Sequence, residues 1–183
     1  MRWCVFCGSS AGTKPAYRAA ATELGTALAA AGIELVYGGG HVGLMGAVAD
    51  AVLATGGTAI GVIPRTLAER EVAHTGLTQL HVVETMHERK ALMADLTDGF
   101  VALPGGFGTF EEFCEIVTWV QLRIIDKPTY LLDIDGYYDP LVAMFDRAVS
   151  EGFVSAENRS IVGVTRTVSE LLGAISSRSR TTR

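Results

Sequence analysis

Short, nearly continuous apolar stretches alternate with helix-patterned ones along the whole chain, and this alternation constrains the fold more than any other feature. "WCVFC" (3–7), "IELVY" (33–37), "TAIGVI" (58–63, broken by Pro64), "LHVVE" (80–84), "GFVALP" (99–104), "TYLLDI" (129–134) and a short apolar run at 161–164 read as strands. Between them, apolar residues recur at helical spacing through 15–31, 43–56, 86–96, 109–122, 138–150 and 168–176. Strands that are apolar on both faces, each followed by a helix, mark a parallel sheet covered on both sides. The expected fold is α/β: a single Rossmann-like doubly wound domain over residues 1–176, with a mostly parallel sheet flanked by helices. Residues 177–183, made of Ser, Thr and Arg, read as a disordered tail.

Composition fits this picture and narrows the partners. The 183 residues suffice for one sizeable core, and a hydrophobic content of 49% with mean hydropathy +0.31 marks a well-buried globular chain. Lys and Arg number 15 against 20 Asp and Glu, a net charge of −5, with no basic stripe outside the tail, so nucleic acid is not an expected partner. No apolar run approaches the roughly 20 residues that span a bilayer, and Met1 leads straight into a strand pattern without a signal-peptide core. No membrane partner and a cytoplasmic location are the expectations. Cys4 and Cys7 form a C-x-x-C inside a strand rather than at a helix start, which favours buried structural thiols over a redox pair. The histidines at 41, 74, 81 and 87 show no zinc-ligand spacing, so no metal site is expected.

In a doubly wound sheet, ligands bind beyond the carboxyl ends of the strands. Three strand ends here are rich in Gly or Ser: "CGSSAG", "GGGHVGLMG" and "PGGFGTFEE", and all three should converge on one edge. Gly38-x-Gly40-x-x-Gly43 matches the dinucleotide fingerprint, but in the second strand–helix unit, and Pro64-Arg65 stand where an acid is expected. Arg65 leaves NADP binding as a minor alternative; a tight turn with close helix–strand packing is the plain one. The sharper signal is Gly105, Gly106 and Gly108 followed by Thr109, which turn backbone amides inward at a helix start and suit an anion. No Lys follows the last Gly, so this is not a triphosphate loop, and a monophosphate fits better. Glu111 and Glu112 then fall in the first helical turn, about 100° apart, so that one faces the ligand and the other solvent. A carboxylate beside a bound phosphate needs a cation nearby, and "MHERK" offers Arg89 and Lys90 on the same expected edge.

Taken together, "CGSS", "VYGGG-x-x-GLMG", "VIPRTL", "MHERK", "LPGGFGTFEE", "TWVQL", "DKP" and "DGYYDPL" resemble, in order and spacing, the LOG ("Lonely Guy") family of cytokinin riboside 5′-monophosphate phosphoribohydrolases. The resemblance runs from about Val5 to Leu172. It implies hydrolysis of the N-glycosidic bond of adenosine 5′-monophosphate or its N6-modified forms, giving the free base and ribose 5-phosphate. It further implies Arg89 and Glu112 as the catalytic pair. Glu71, Lys90, Gly105, Gly106, Phe107, Gly108, Thr109, Phe110, Glu111 and Thr118 would join them in contacting the nucleotide, without a cofactor and in a homodimer. Phe107 replaces a frequent Tyr, Ile125 a frequent His, and the stretch around Glu71 is looser than the family's. Members are often labelled lysine decarboxylases, but that chemistry needs pyridoxal phosphate on a lysine. Besides Lys90 the chain has Lys14 and Lys127, neither in a loop resembling a cofactor cradle. A non-catalytic reading remains, because molybdenum-cofactor carrier proteins have a similar core and glycine-rich phosphate loop. A carrier would release no ribose 5-phosphate and would not need Glu112.

Overall fold

The computed structural model describes residues 1–68 and 73–181, the last three without their side chains. The strands are β1 (Arg2–Phe6), β2 (Glu34–Tyr37), β3 (Ala59–Pro64), β4 (Gln79–Val83), β5 (Gly99–Ala102), β6 (Thr129–Leu132) and β7 (Val162–Thr165). The helices are α1 (Pro15–Ala30), α2 (Gly43–Ala54), α3 (Arg65–Ala68), α4 (Met86–Leu96), α5 (Phe107–Gln121), α6 (Asp139–Ser150), α7 (Ala156–Arg159) and α8 (Val168–Thr181). The seven strands lie in the order β4-β3-β2-β1-β5-β6-β7, and every neighbouring pair is parallel. The expected single α/β domain with a parallel sheet is what the chain forms.

Side-chain alternation along the strands builds a core on each face. Trp3 and Val5 of β1 pack with α1, α2 and α8, whereas Cys4 and Phe6 pack with α4, α5 and α6. The chain steps outward from β1 to β4, then α4 carries it back to place β5 on the other side of β1. The strand order therefore reverses between β1 and β5. Loops leaving these two strands diverge there, and the crevice between them is the ligand position of doubly wound sheets.

Local chemistry sets the helix starts near that crevice. Thr85 caps α4, its hydroxyl accepting from the Glu88 amide at 3.1 Å, while the Glu88 carboxylate accepts from the Glu84 amide at 2.9 Å. Helix α5 begins at Phe107, two residues before the expected Thr109, because Gly106 adopts an extended cap conformation and its carbonyl accepts from the Phe110 amide at 3.1 Å. Glu111 and Glu112 consequently lie in the second turn rather than the first. The helix macrodipole acts mainly within the first turn, so it does not account for two acids at these positions. The four-residue helices α3 and α7 are too short to leave a periodic signal in the sequence.

Candidate active site

The three Gly- or Ser-rich loops do meet, at the carboxyl ends of β1, β2 and β5. The Gly8 amide donates to the Pro104 carbonyl at 3.1 Å, and the Leu44 amide donates to the Gly8 carbonyl at 3.0 Å. The Tyr138 hydroxyl donates to the Leu103 carbonyl at 2.7 Å, and Tyr137 donates to that of Gly105, so both tyrosines of "DGYY" brace the loop after β5. Glycines of the second loop allow close packing. A Cβ at Gly38 would overlap the Arg89 guanidinium, and one at Gly43 the Ser9 backbone, with Gly43 also at a φ of +62°. Arg65 pairs instead with Glu84, at 2.8 Å.

Between the loops lies a cavity of about 210 Å³, lined by Cys7, Ser9, Met45, Arg89, Thr109 and Glu112 together with residues 106–108. The start of α5 lines it through Phe107, Gly108 and Thr109, and the first turn of a helix has no internal acceptor for its amides. The Arg89 guanidinium, 6% exposed, anchors on the Gly38 carbonyl at 3.1 Å and stands 3.9 Å from Glu112 Oε1. Its Nε is buried without a hydrogen-bond partner. A buried, unpaired charged donor is costly, and an incoming oxyanion is the natural way to satisfy it. Burial pushes the Cys7 thiol up, and Glu112 pushes it further against the opposing pull of Arg89, so the thiol stays protonated. Cys4, behind it, is likewise buried and free.

The residues singled out from the sequence divide into groups. Arg89, Gly106, Phe107, Gly108, Thr109 and Glu112 line the cavity, with Thr109 buried and Phe107 standing 92% exposed at the rim. Gly105 lines a second hollow of about 210 Å³ next to it, shared with Gly8, Ser9, Tyr17, Leu44 and Tyr137. Phe110 packs on Tyr137 and Tyr138, with ring centroids 6.4 Å away in each case. Lys90 and Glu111 turn to each other, Nζ to Oε1 at 2.5 Å, and do not line the cavity. Thr118 sits nine residues beyond Thr109, about 13 Å further along the helix, with its hydroxyl bonded to the Cys114 carbonyl at 2.8 Å. The structure does not bring it to the cavity of this chain. Glu71 lies outside the described residues. Sequence reasoning missed Glu115, which also meets Lys90, at 3.0 Å; its i,i+4 spacing from Glu111 was the available signal. A larger hollow, about 790 Å³, opens elsewhere, where the loop before β6 meets α7, and holds none of these residues.

A doubly wound parallel sheet with a buried arginine–glutamate pair in a cavity at its reversal point marks a Rossmann-like protein with a candidate site where such folds place ligands. Residues 45–175 match the family model described as "Possible lysine decarboxylase". The chain is 51% identical over 171 residues to a cytokinin riboside 5′-monophosphate phosphoribohydrolase of Arabidopsis thaliana, covering 93% of this chain and 80% of the relative. Against the rice enzyme LOG (Oryza sativa subsp. japonica) the identity is also 51%, over 93% of this chain and 71% of the relative. Among solved structures, the molybdenum cofactor carrier protein MCP of Chlamydomonas reinhardtii superposes with a TM-score of 0.72 over 96% of both chains, at 23% identity, a likeness of fold alone. The chain belongs to the LOG family of cytokinin riboside 5′-monophosphate phosphoribohydrolases. The decarboxylase label has no support in the site: Lys14 pairs with Asp135, Lys127 donates to the Ala94 carbonyl, and none of the three lysines lines the cavity.

Proposed function

We infer that the protein is a cytokinin riboside 5′-monophosphate phosphoribohydrolase, releasing the cytokinin base and ribose 5-phosphate. One observation carries the reading: a buried guanidinium with a partnerless Nε faces the amide end of α5, with Glu112 beside it. The amides of the 106–109 turn and Thr109 receive the 5′-phosphate, with Arg89 as the neighbouring cation. As the bond from C1′ to the purine nitrogen breaks, positive charge develops on the ribose, and the Glu112 carboxylate stabilises it or directs the attacking water. Water supplies the hydroxyl to C1′, and the departing purine takes the proton. A guanidinium such as that of Arg89 is too weak an acid to give that proton. Its part is to bind oxygen atoms of the substrate and orient Glu112.

Phosphate binding remote from the reacting bond converts affinity into positioning. The test is a panel of adenosine, AMP and N6-isopentenyl-AMP, with free base and ribose 5-phosphate measured. The monophosphates are expected to turn over and adenosine to react poorly; equal rates for adenosine and AMP would remove the phosphate cradle from the account.

The same reading includes a homodimer in the cytoplasm. Helix α5 is apolar nearly all round, yet only Thr109, Phe113 and Ile116 are buried within this chain, and Leu122 and Ile124 just beyond it are 61% and 62% exposed. Helix α6 adds exposed Met144. A second copy packed on this face would cover both. Three free cysteines support a reducing setting, and no helix among the described residues is long and apolar enough to cross a membrane.

A further inference from the structure

Gly105 is held from three sides. A Cβ there would stand 2.1 Å from Thr109 Oγ1 and 2.9 Å from the Gly8 nitrogen, so the first turn of α5 and the loop after β1 both close on its Cα. Its carbonyl accepts from the Tyr137 hydroxyl. That tyrosine, half-buried, is itself wedged among rings. It stacks on Phe110 at 6.4 Å and 24°, and meets Tyr17 of α1 at 5.7 Å and Tyr138 at 5.1 Å edge to face. Three ring contacts thus deliver one donor to one carbonyl, whereas the Tyr138 hydroxyl holds a different carbonyl, that of Leu103, at 2.7 Å. No peptide bond among the described residues is cis, so the Gly106 N–H points opposite to the carbonyl that Tyr137 holds. No backbone carbonyl among the described residues accepts from that amide. Gly106 borders both the cavity and the hollow that Tyr137 lines.

We propose that Tyr137 is a positioning residue for the 5′-phosphate: by fixing the Gly105 carbonyl it sets the tilt of the next peptide, whose amide meets the phosphate, and so strengthens the preference for nucleotide over nucleoside. The inference rests on the reading that the turn at 106–109 receives that phosphate. The torsions on either side of this peptide plane belong to glycines and resist rotation least, so the plane needs an outside hold. Without the hydroxyl, the ligand itself has to order the amide, and affinity falls by the cost of doing so. A substrate that lacks the phosphate does not use the amide and is insensitive to its tilt. Contact with the phosphate persists from bound substrate to transition state, so the loss falls on KM more than on kcat.

The experiment is steady-state kinetics with AMP and adenosine on Tyr137→Phe and Tyr138→Phe, with ribose 5-phosphate affinity measured by calorimetry. Tyr137→Phe keeps the ring contacts and removes only the donor. KM for AMP should rise about tenfold with kcat within about threefold, and Kd for ribose 5-phosphate should rise about tenfold, while kcat/KM for adenosine stays within about twofold. Tyr138→Phe removes a hydrogen bond from the same loop without touching the Gly105–Gly106 peptide, so it should lower Tm and leave the AMP-to-adenosine ratio unchanged. An undiminished ratio in Tyr137→Phe, an equal fall for AMP and adenosine, or the same fall of the ratio in Tyr138→Phe would each overturn the proposal and leave the phosphate reading standing. Equal rates for AMP and adenosine in the unmodified protein would instead sink that reading, and this role with it. If no turnover is detected with either substrate, the ribose 5-phosphate Kd decides: a rise of about tenfold in Tyr137→Phe supports the role, and an unchanged value overturns it.

Discussion

Arg89 and Glu112 meet in the cavity only because glycine stands at position 38, across from them on the loop after β2. A methyl there would overlap the guanidinium that uses the Gly38 carbonyl as its anchor. Gly38→Ala should lower kcat/KM for AMP on the order of a hundredfold through displacement of Arg89 while leaving the protein folded, as judged by circular dichroism. Wild-type turnover in that variant would show that the anchor is dispensable. Glu112→Gln keeps the shape of the side chain and removes its charge. The expected result is a loss of roughly a hundredfold or more in kcat with AMP binding retained in calorimetry, and an undiminished kcat would remove Glu112 from the chemistry.

At the scale of elements, α4 and α5 carry the whole arrangement, and each is started by its own cap. For α4 this is the Thr85 hydroxyl, held in place with the Glu88 carboxylate on the preceding amide. Thr85→Ala should cost about 1 kcal/mol and lower Tm by about 2–4 °C, read by thermal melting. Because Arg89 lies in the turn next to this cap, kcat should fall in the same variant. A Tm loss with full activity would show the first turn to be rigid without its cap. Helix α5 starts instead on Gly106 in an extended conformation, and the residues of its first turn, Phe107 to Thr109, line the cavity. That start is what moves Glu111 and Glu112 into the second turn, where their neighbours are side chains of α4 rather than the end of their own helix.

For the whole molecule, reversal of strand order between β1 and β5 brings together loops that are about 100 residues apart in the chain, as the Gly8–Pro104 hydrogen bond shows. Apolar surface left over on α5 and α6 argues for assembly. Replacing Leu122 and Ile124 together by Glu should convert a dimer to a monomer in sedimentation equilibrium, because charge placed on a covered apolar face cannot be desolvated cheaply. An unmodified protein that sediments as a monomer would refute this face as an interface.

Strand–helix alternation by itself determined the doubly wound parallel fold, because a period of two or of 3.6 residues is written directly in the order of apolar side chains. The glycine loop from 105 to 108 and the charged pairs at 89–90 and 111–112 were legible as well, since backbone flexibility, helix starts and opposite charges are local properties; singling out Arg89 and Glu112 within those pairs took the family resemblance. The partner of Lys90 was not. Its ion pairs with Glu111 and Glu115 cross 21 and 25 positions of sequence, and their geometry depends on how two helices rotate against each other over the sheet. The service of Gly38 to Arg89, across 51 positions, is of the same kind. Local sequence decides which way each backbone segment turns, and only packing of the finished core decides which side chains then face one another.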